Sequence, residues 1–205
     1  MTLLSDSEQK QVADAIGRVE RDTDAELVTV LAARADDYSY IPLLWAALLA
    51  LLVPGIVNYQ PLWLNAHELL LEQWLSFIGL GLLFRLKPLT TRLVPRGVRH
   101  WRAANLARRQ FLEQKLHHTE GGTGMLIFVS EQERYVEILV DHGISSRIGD
   151  DTWAAIVSQF TAAVGRGETL HGFLACIEAC GEHLRRHLPA TQARNELPDR
   201  LVILD

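Results

Sequence analysis

The chain has 205 residues, 48% of them hydrophobic and 22% charged, with a formal net charge of -5. Such a composition excludes a disordered or low-complexity chain and fits one domain of ordinary size with a small addition. The charge is unevenly spread: residues 85–118 carry nine Lys or Arg against one acidic residue, while the flanking segments are acidic, so no nucleic-acid partner is expected and the basic character belongs to one short stretch.

The start, "MTLLSDSEQK", lacks the basic and apolar regions of a signal peptide and is expected to be retained. Ser5 with Glu8 three residues later forms a capping-box pattern, and Val12, Ile16 and Val19 recur at helical spacing up to Thr23. A helix is predicted there. "AELVTVLAA", residues 25–33, is apolar on both faces apart from Glu26 and Thr29, which suits a strand covered on each side.

The pattern then changes abruptly. Ile41 to Val57 holds no charge and is bracketed by Tyr38, Tyr40, Tyr59 and Trp63, side chains that favour the boundary between lipid and water. As a helix it extends roughly 25 Å, at the short end for crossing a bilayer core. Leu69 to Phe84 is a second run, broken near its start by Glu72 and Gln73. The two are expected to form a transmembrane helical hairpin, the alternative being a buried hairpin in a soluble core. The connecting loop, residues 58–68, has no Lys or Arg, whereas Arg85, Lys87, Arg92, Arg96, Arg99 and Arg102 follow the second run. That asymmetry places both termini in the cytoplasm. The basic stretch beside the hairpin suits contact with anionic lipid.

Residues 98–118 are predicted to form an amphipathic helix, with Trp101, Ala104, Phe111 and Leu112 on one side and Arg99, Arg102, Arg109 and Glu113 on the other. "TGMLIFVS" and "RYVEILVD" are separated by Glu131, Gln132 and Glu133, short enough only for an antiparallel pair. Trp153, Ile156, Val157, Phe160 and Val164 mark a helix ended by Gly165 and Gly167; Leu170, Phe173, Ile177, Leu184 and Leu188 mark the last, stopped by Pro189. The first two strands, joined through a helix, should lie parallel. The expected fold is α/β, a three-layer α/β/α domain with a small mixed sheet interrupted by the hairpin. Its parts are residues 1–37 and 93–189, with the hairpin at 38–92 and a C-terminal tail at 190–205.

The stretches "DAELVTVLAARADDYSYIPLLWAALLALLVP", "GGTGMLIFVSEQERYVEILVDHGI" and "EACGEHLRRHLPATQARNELPDRL" resemble the TPM domain, in its bacterial subgroup with a transmembrane pair inside the domain. The family occurs in thylakoid-lumen, photosystem II repair and acetylcholine-receptor modulating proteins. The resemblance implies an α/β/α fold, and for some members acid phosphatase activity or divalent-cation binding has been proposed.

The residues themselves offer limited chemistry. "GGTG", residues 121–124, enters a strand instead of opening a helix and lacks the Lys-Ser/Thr pair of a phosphate loop, so it is expected to be a turn. Cys176 and Cys180 stand four apart on a helix, a spacing unsuited to a disulfide, and free thiols are consistent with a reducing compartment. With His183 and His187 they extend over about 16 Å, too far to share one zinc ion. Asp141, Asp150 and Asp151 are the candidate metal ligands, expected at a sheet edge near Asp24, and an oxygen-only set suits Ca2+ or Mg2+. The competing role is a helix cap by Asp150 or Asp151. His142 beside Asp141 and the loop residues Ser130, Ser145 and Ser146 show no nucleophile-and-base pattern, and Arg147 is the one cation near the acids. Asp36 and Asp37 are expected to meet Arg134 at the surface.

The expected function is that of a multi-pass protein of the bacterial inner (cytoplasmic) membrane. It presents a cytoplasmic domain that binds, assembles or maintains another membrane protein. The alternatives are a cation-dependent acid phosphatase and a cation-binding module without turnover.

Overall fold

The computed structural model describes residues 4–58, 65–86, 93–191, 197–198 and 200–204. The chain divides into two compact units, residues 1–35 with 100–205, and residues 36–99. Tyr59, Trp63, Lys87 and Arg92, which entered the membrane expectation, lie outside the described residues.

The first unit begins with α1 (Asp6–Glu20), whose capping box is formed as expected: Ser5 Oγ accepts from Glu8 N at 3.4 Å and Glu8 Oε2 accepts from Ser5 N at 2.7 Å. Strand β1 (Glu26–Ala32) is buried along its whole length. It pairs in parallel with β2 (Gly124–Ser130), Glu26 opposite Gly124 and Ala32 opposite Ser130. Strand β3 (Tyr135–Val140) runs antiparallel to β2, with Met125 opposite Val140. The parallel and antiparallel pairings match the expectation from connection lengths.

Period-two alternation sorts the sheet's side chains into two cores. Leu27, Leu31, Met125, Ile127 and Val129 meet α1, α6 (Asp150–Gly165) and α7 (Thr169–His187) on one face. Val28, Val30, Leu126 and Phe128 meet Ala103 and Ala107 of α4 (Arg96–Glu113) on the other. The layers are therefore helix, sheet, helix, and the fold is mixed α/β.

Two expectations change. Residues 190–205, read as a tail, contain β4 (Leu201–Leu204), which pairs in parallel with the free edge of β1 and completes a sheet of order β3-β2-β1-β4. Four consecutive apolar residues carry no period that distinguishes strand from tail. The polar residues noted in β1 serve this strand's approach: Glu26 Oε2 accepts from Leu197 N at 3.1 Å, and Thr29 Oγ1 donates to Arg200 O at 3.5 Å. Helix α4 is also rotated from its expected orientation: of the predicted apolar side, Phe111 packs against the core and Ala104 is half-buried, but Trp101 and Leu112 are not covered. Ala103, Ala107 and Gln110 are buried, while Trp101 and Leu112 are each 57% exposed. Small residues allow the helix backbone to approach the large side chains of the sheet, and this outweighs burying the bigger apolar groups.

The second unit holds α2 (Tyr40–Asn58) and α3 (Ala66–Phe84), packed against each other, and a small cluster of Tyr38, Ile41 and Val94. Asp36 Oδ1 accepts from Tyr38 N and Asp37 Oδ1 from Ser39 N, turns that lead into α2. Among the described residues one helix, over Tyr40–Val57, is long and apolar enough to cross a membrane, and only 22% of that span is buried. Helix α3 has the same length, but His67, Glu68, Glu72 and Gln73 in its first half lower its apolar character.

Candidate functional site

Because β2 and β3 are antiparallel neighbours, the turn that enters β2 and the loop that leaves β3 are brought side by side. Gly121 and Gly122 have φ of +86° and +63°, a conformation that glycine adopts at no steric cost. The "GGTG" stretch is thus a turn, as expected. Asp141 N donates to Gly124 O and Gly143 N to Gly122 O, both at 2.9 Å. The two backbones touch so closely that a Cβ on Gly143 would lie 2.2 Å from Gly121 O, and one on Gly122 would lie 2.2 Å from His142 Cε1.

Asp141 closes this junction. It caps the short helix α5 (His142–Ser145), its Oδ1 accepting from His142 N at 2.7 Å with His142 Nδ1 3.2 Å away. The His142 ring is 84% exposed. Ile144 and Ile148 point into the core and pin the loop from below. Between and beyond them Ser145, Ser146, Arg147, Asp150 and Asp151 are exposed. Ser145 Oγ donates to His142 O and Ser146 Oγ to Gly143 O, so both hydroxyls serve local backbone groups.

Asp150 and Asp151 occupy the first turn of α6, and the N-cap is Gly149 instead of either of them. The expected side-chain cap is therefore replaced by charge: two carboxylates beside the exposed N–H groups of a helix start are stabilised by its dipole. Asp24, expected at the same edge, is engaged by Thr191, whose N and Oγ1 lie 2.8 and 2.6 Å from its carboxylate oxygens. Among the described residues there is no group of three or more His, Cys, Asp or Glu that could hold a metal ion. The arrangement offers a rigid, outward-facing rim of hydroxyls, one guanidinium and carboxylates.

Of the cysteine and histidine stripe on α7, the two cysteines are packing residues, His183 is half-buried and His187 is exposed. Cys176 and Cys180 are buried free thiols, and a hydrogen bond with Cys176, followed by burial, holds the Cys180 thiol well above its ordinary range. His183 lies edge-on to Trp153 at 6.1 Å between ring centres. Cys180 is therefore held away from the thiolate form that a metal would need.

A second polar group escaped the sequence reading. On edge strand β3, desolvation raises the Glu137 carboxyl, opposed by a hydrogen bond from Tyr135 and the nearby Arg108. Burial, and then Glu137 itself, raises the Tyr135 phenol. The His100 ring sits 5.5 Å from that of Tyr135. The signal available was a lone Glu in an apolar strand, opposite Phe128.

The stretch that builds this rim is the one with a known counterpart. Residues 95–183 match the TPM domain. The match takes in α4, β2, β3, the 141–151 loop, α6 and most of α7. The comparison with curated proteins gave no match. Among solved structures, the fold is similar to the NMR structure of the BA42 protein from the psychrophilic bacterium Bizionia argentinensis. The TM-score is 0.59 at 17% identity, covering 98% of this chain and 94% of that one. At that identity the likeness concerns the fold alone.

Proposed function

We propose that this chain is an integral membrane protein of a bacterial inner membrane, in which α2 and α3 cross as a hairpin and the α/β unit is presented in the cytoplasm to bind, assemble or maintain another membrane protein. The observation that carries this reading is the surface of the helical pair. Leu44, Leu48, Leu51, Leu52 and Ile56 of α2 and Leu71, Trp74, Leu75, Ile78 and Leu82 of α3 are exposed. Each large apolar side chain left in water forgoes roughly 1.5–3 kcal/mol of burial, a loss that a hydrocarbon surrounding removes. Lys and Arg are missing from residues 58–68 and follow α3 as Arg85, Arg96 and Arg99, which supports the cytoplasmic side for both termini. The pinned 141–151 rim suits recognition, because its outward side chains stand on a backbone that is already ordered.

Membrane integration is tested by alkaline extraction of membranes and by an impermeant thiol reagent on intact cells expressing Gln60→Cys or Thr191→Cys. Expected are retention in the membrane pellet, labelling of the first variant and protection of the second until lysis. Release by alkali, or the reverse labelling, overturns the reading. For the assembly role, a membrane protein should co-purify with the wild-type chain in detergent and be lost with Arg147→Glu. A chain that always purifies alone refutes that role.

A further inference from the structure

Helix α4 is the helix that covers the second face of the sheet, so the side turned from its buried Ala103, Ala107 and Gln110 is an outer surface of the α/β unit. At 100° per residue, Trp101, Asn105, Arg108 and Leu112 fall together on that side, with Arg102 and Arg109 along its flank. Trp101 and Leu112 are each 57% exposed, and Arg108 and Arg109 are exposed. The Arg102 guanidinium carbon stands 5.1 Å from the centre of the Trp101 ring. Large apolar groups that a globular protein would ordinarily bury thus alternate with arginines on one arc. The helix as a whole carries five arginines, at 96, 99, 102, 108 and 109, against one acid, Glu113, which pairs with Arg109 at 3.2 Å.

We infer that this outer face of α4 docks on an anionic bilayer surface, with Trp101 and Leu112 entering the headgroup boundary and Arg102, Arg108 and Arg109 meeting lipid phosphates. The inference rests on the membrane reading for its choice of partner. A soluble acidic protein would satisfy the arginines, but an interfacial Trp with Leu three turns away on a basic helix fits the mixed apolar and anionic boundary of a leaflet. Residues 85–95 join α3 to α4, so chain length limits the reach of this helix from an anchored α3.

The test uses the full chain with Asn105→Cys carrying an environment-sensitive fluorophore. Cys176 and Cys180 are buried and do not compete for the label. Vesicles are of phosphatidylcholine alone, or with about one-third phosphatidylglycerol. Expected on the anionic vesicles alone are a blue shift and protection from an aqueous quencher, reversed by high salt. Changing Arg102, Arg108 and Arg109 together to Gln should lower the docked-to-undocked ratio about a hundredfold. Trp101→Ser, at an exposed position, should reduce it while leaving the far-ultraviolet spectrum unchanged, which separates docking from misfolding. Flotation of the same samples distinguishes the two readings. A chain that floats with neutral vesicles but shows no anion-dependent shift keeps its anchor and overturns the docking face. A chain that floats only with anionic vesicles, reversibly in salt and dependent on the arginines, loses the anchor and keeps the docking face. Protection by a soluble acidic peptide with none by anionic lipid reassigns the face to a protein and overturns the inference.

Discussion

Replacing Gly143 by Ala tests whether the Gly121–Gly124 turn and the 141–151 loop form one interlocked unit. The new methyl would lie 2.2 Å from Gly121 O and 2.8 Å from Gly122 O, where ordinary contact begins near 3.4 Å. These are backbone atoms on both sides, so the two segments must part by roughly an ångström. That displacement breaks the 2.9 Å bond from Gly143 N to Gly122 O and loosens the Asp141 cap. Overpacking costs about 1–3 kcal/mol and the lost backbone bond about 1 kcal/mol, which together lower the melting temperature by roughly 8–16 °C for a unit of this size. The assay is thermal unfolding of the full chain in detergent, with hydrogen exchange followed at residues 141–148. Gly165→Ala is the control: its added methyl meets nothing within 4 Å, and removing a helical glycine stabilises by up to about 1 kcal/mol. A Gly143→Ala chain that melts with the wild type, or shifts in the same direction as Gly165→Ala, refutes the interlock.

Ending the chain at Pro198 removes β4, so the amides of Leu31 and Ala33 should exchange faster, Ala33 N having lost its 2.8 Å bond to Leu204 O; unchanged protection would show that β4 does not stabilise the edge. Desolvation raises the Glu137 carboxyl in the folded state, so the folded chain binds its proton more tightly than the unfolded one and stability falls as pH rises from the ordinary carboxylate range through the raised value. Glu137→Gln should remove that decline in urea titrations across pH, and an unaltered profile would exclude Glu137 as its source. If Asp141, Asp150 and Asp151 hold Ca2+ or Mg2+, stability rises by about 2.7 kcal/mol at a hundredfold excess over the dissociation constant, and Asp150→Asn with Asp151→Asn abolishes the rise. Calorimetry beside a phosphatase assay reads both halves of that expectation, and no heat with no turnover refutes it.

The elements of the fold are legible in the sequence where a local rule carries them. Ser5 and Glu8 announce α1 because a capping box is satisfied within four residues. The parallel and antiparallel pairings follow from connection length, and the apolar span at Tyr40–Val57 from composition alone. What the tertiary structure decided is everything that depends on a partner distant in the chain. β4 exists as a strand because β1 has a free edge and offers Glu26 and Thr29 to the incoming backbone. Helix α4 turns Trp101 outward because Ala103 and Ala107 make its closest approach to Phe128 and Leu126, with Leu106 and Phe111 packed at the margins. Asp24 reads as a free carboxylate until the chain returns 167 residues later to place Thr191 on it. Sequence patterns record which residues prefer burial, but which of them receive it depends on the shape of the opposing surface, and that surface is assembled from segments that do not neighbour one another in the sequence.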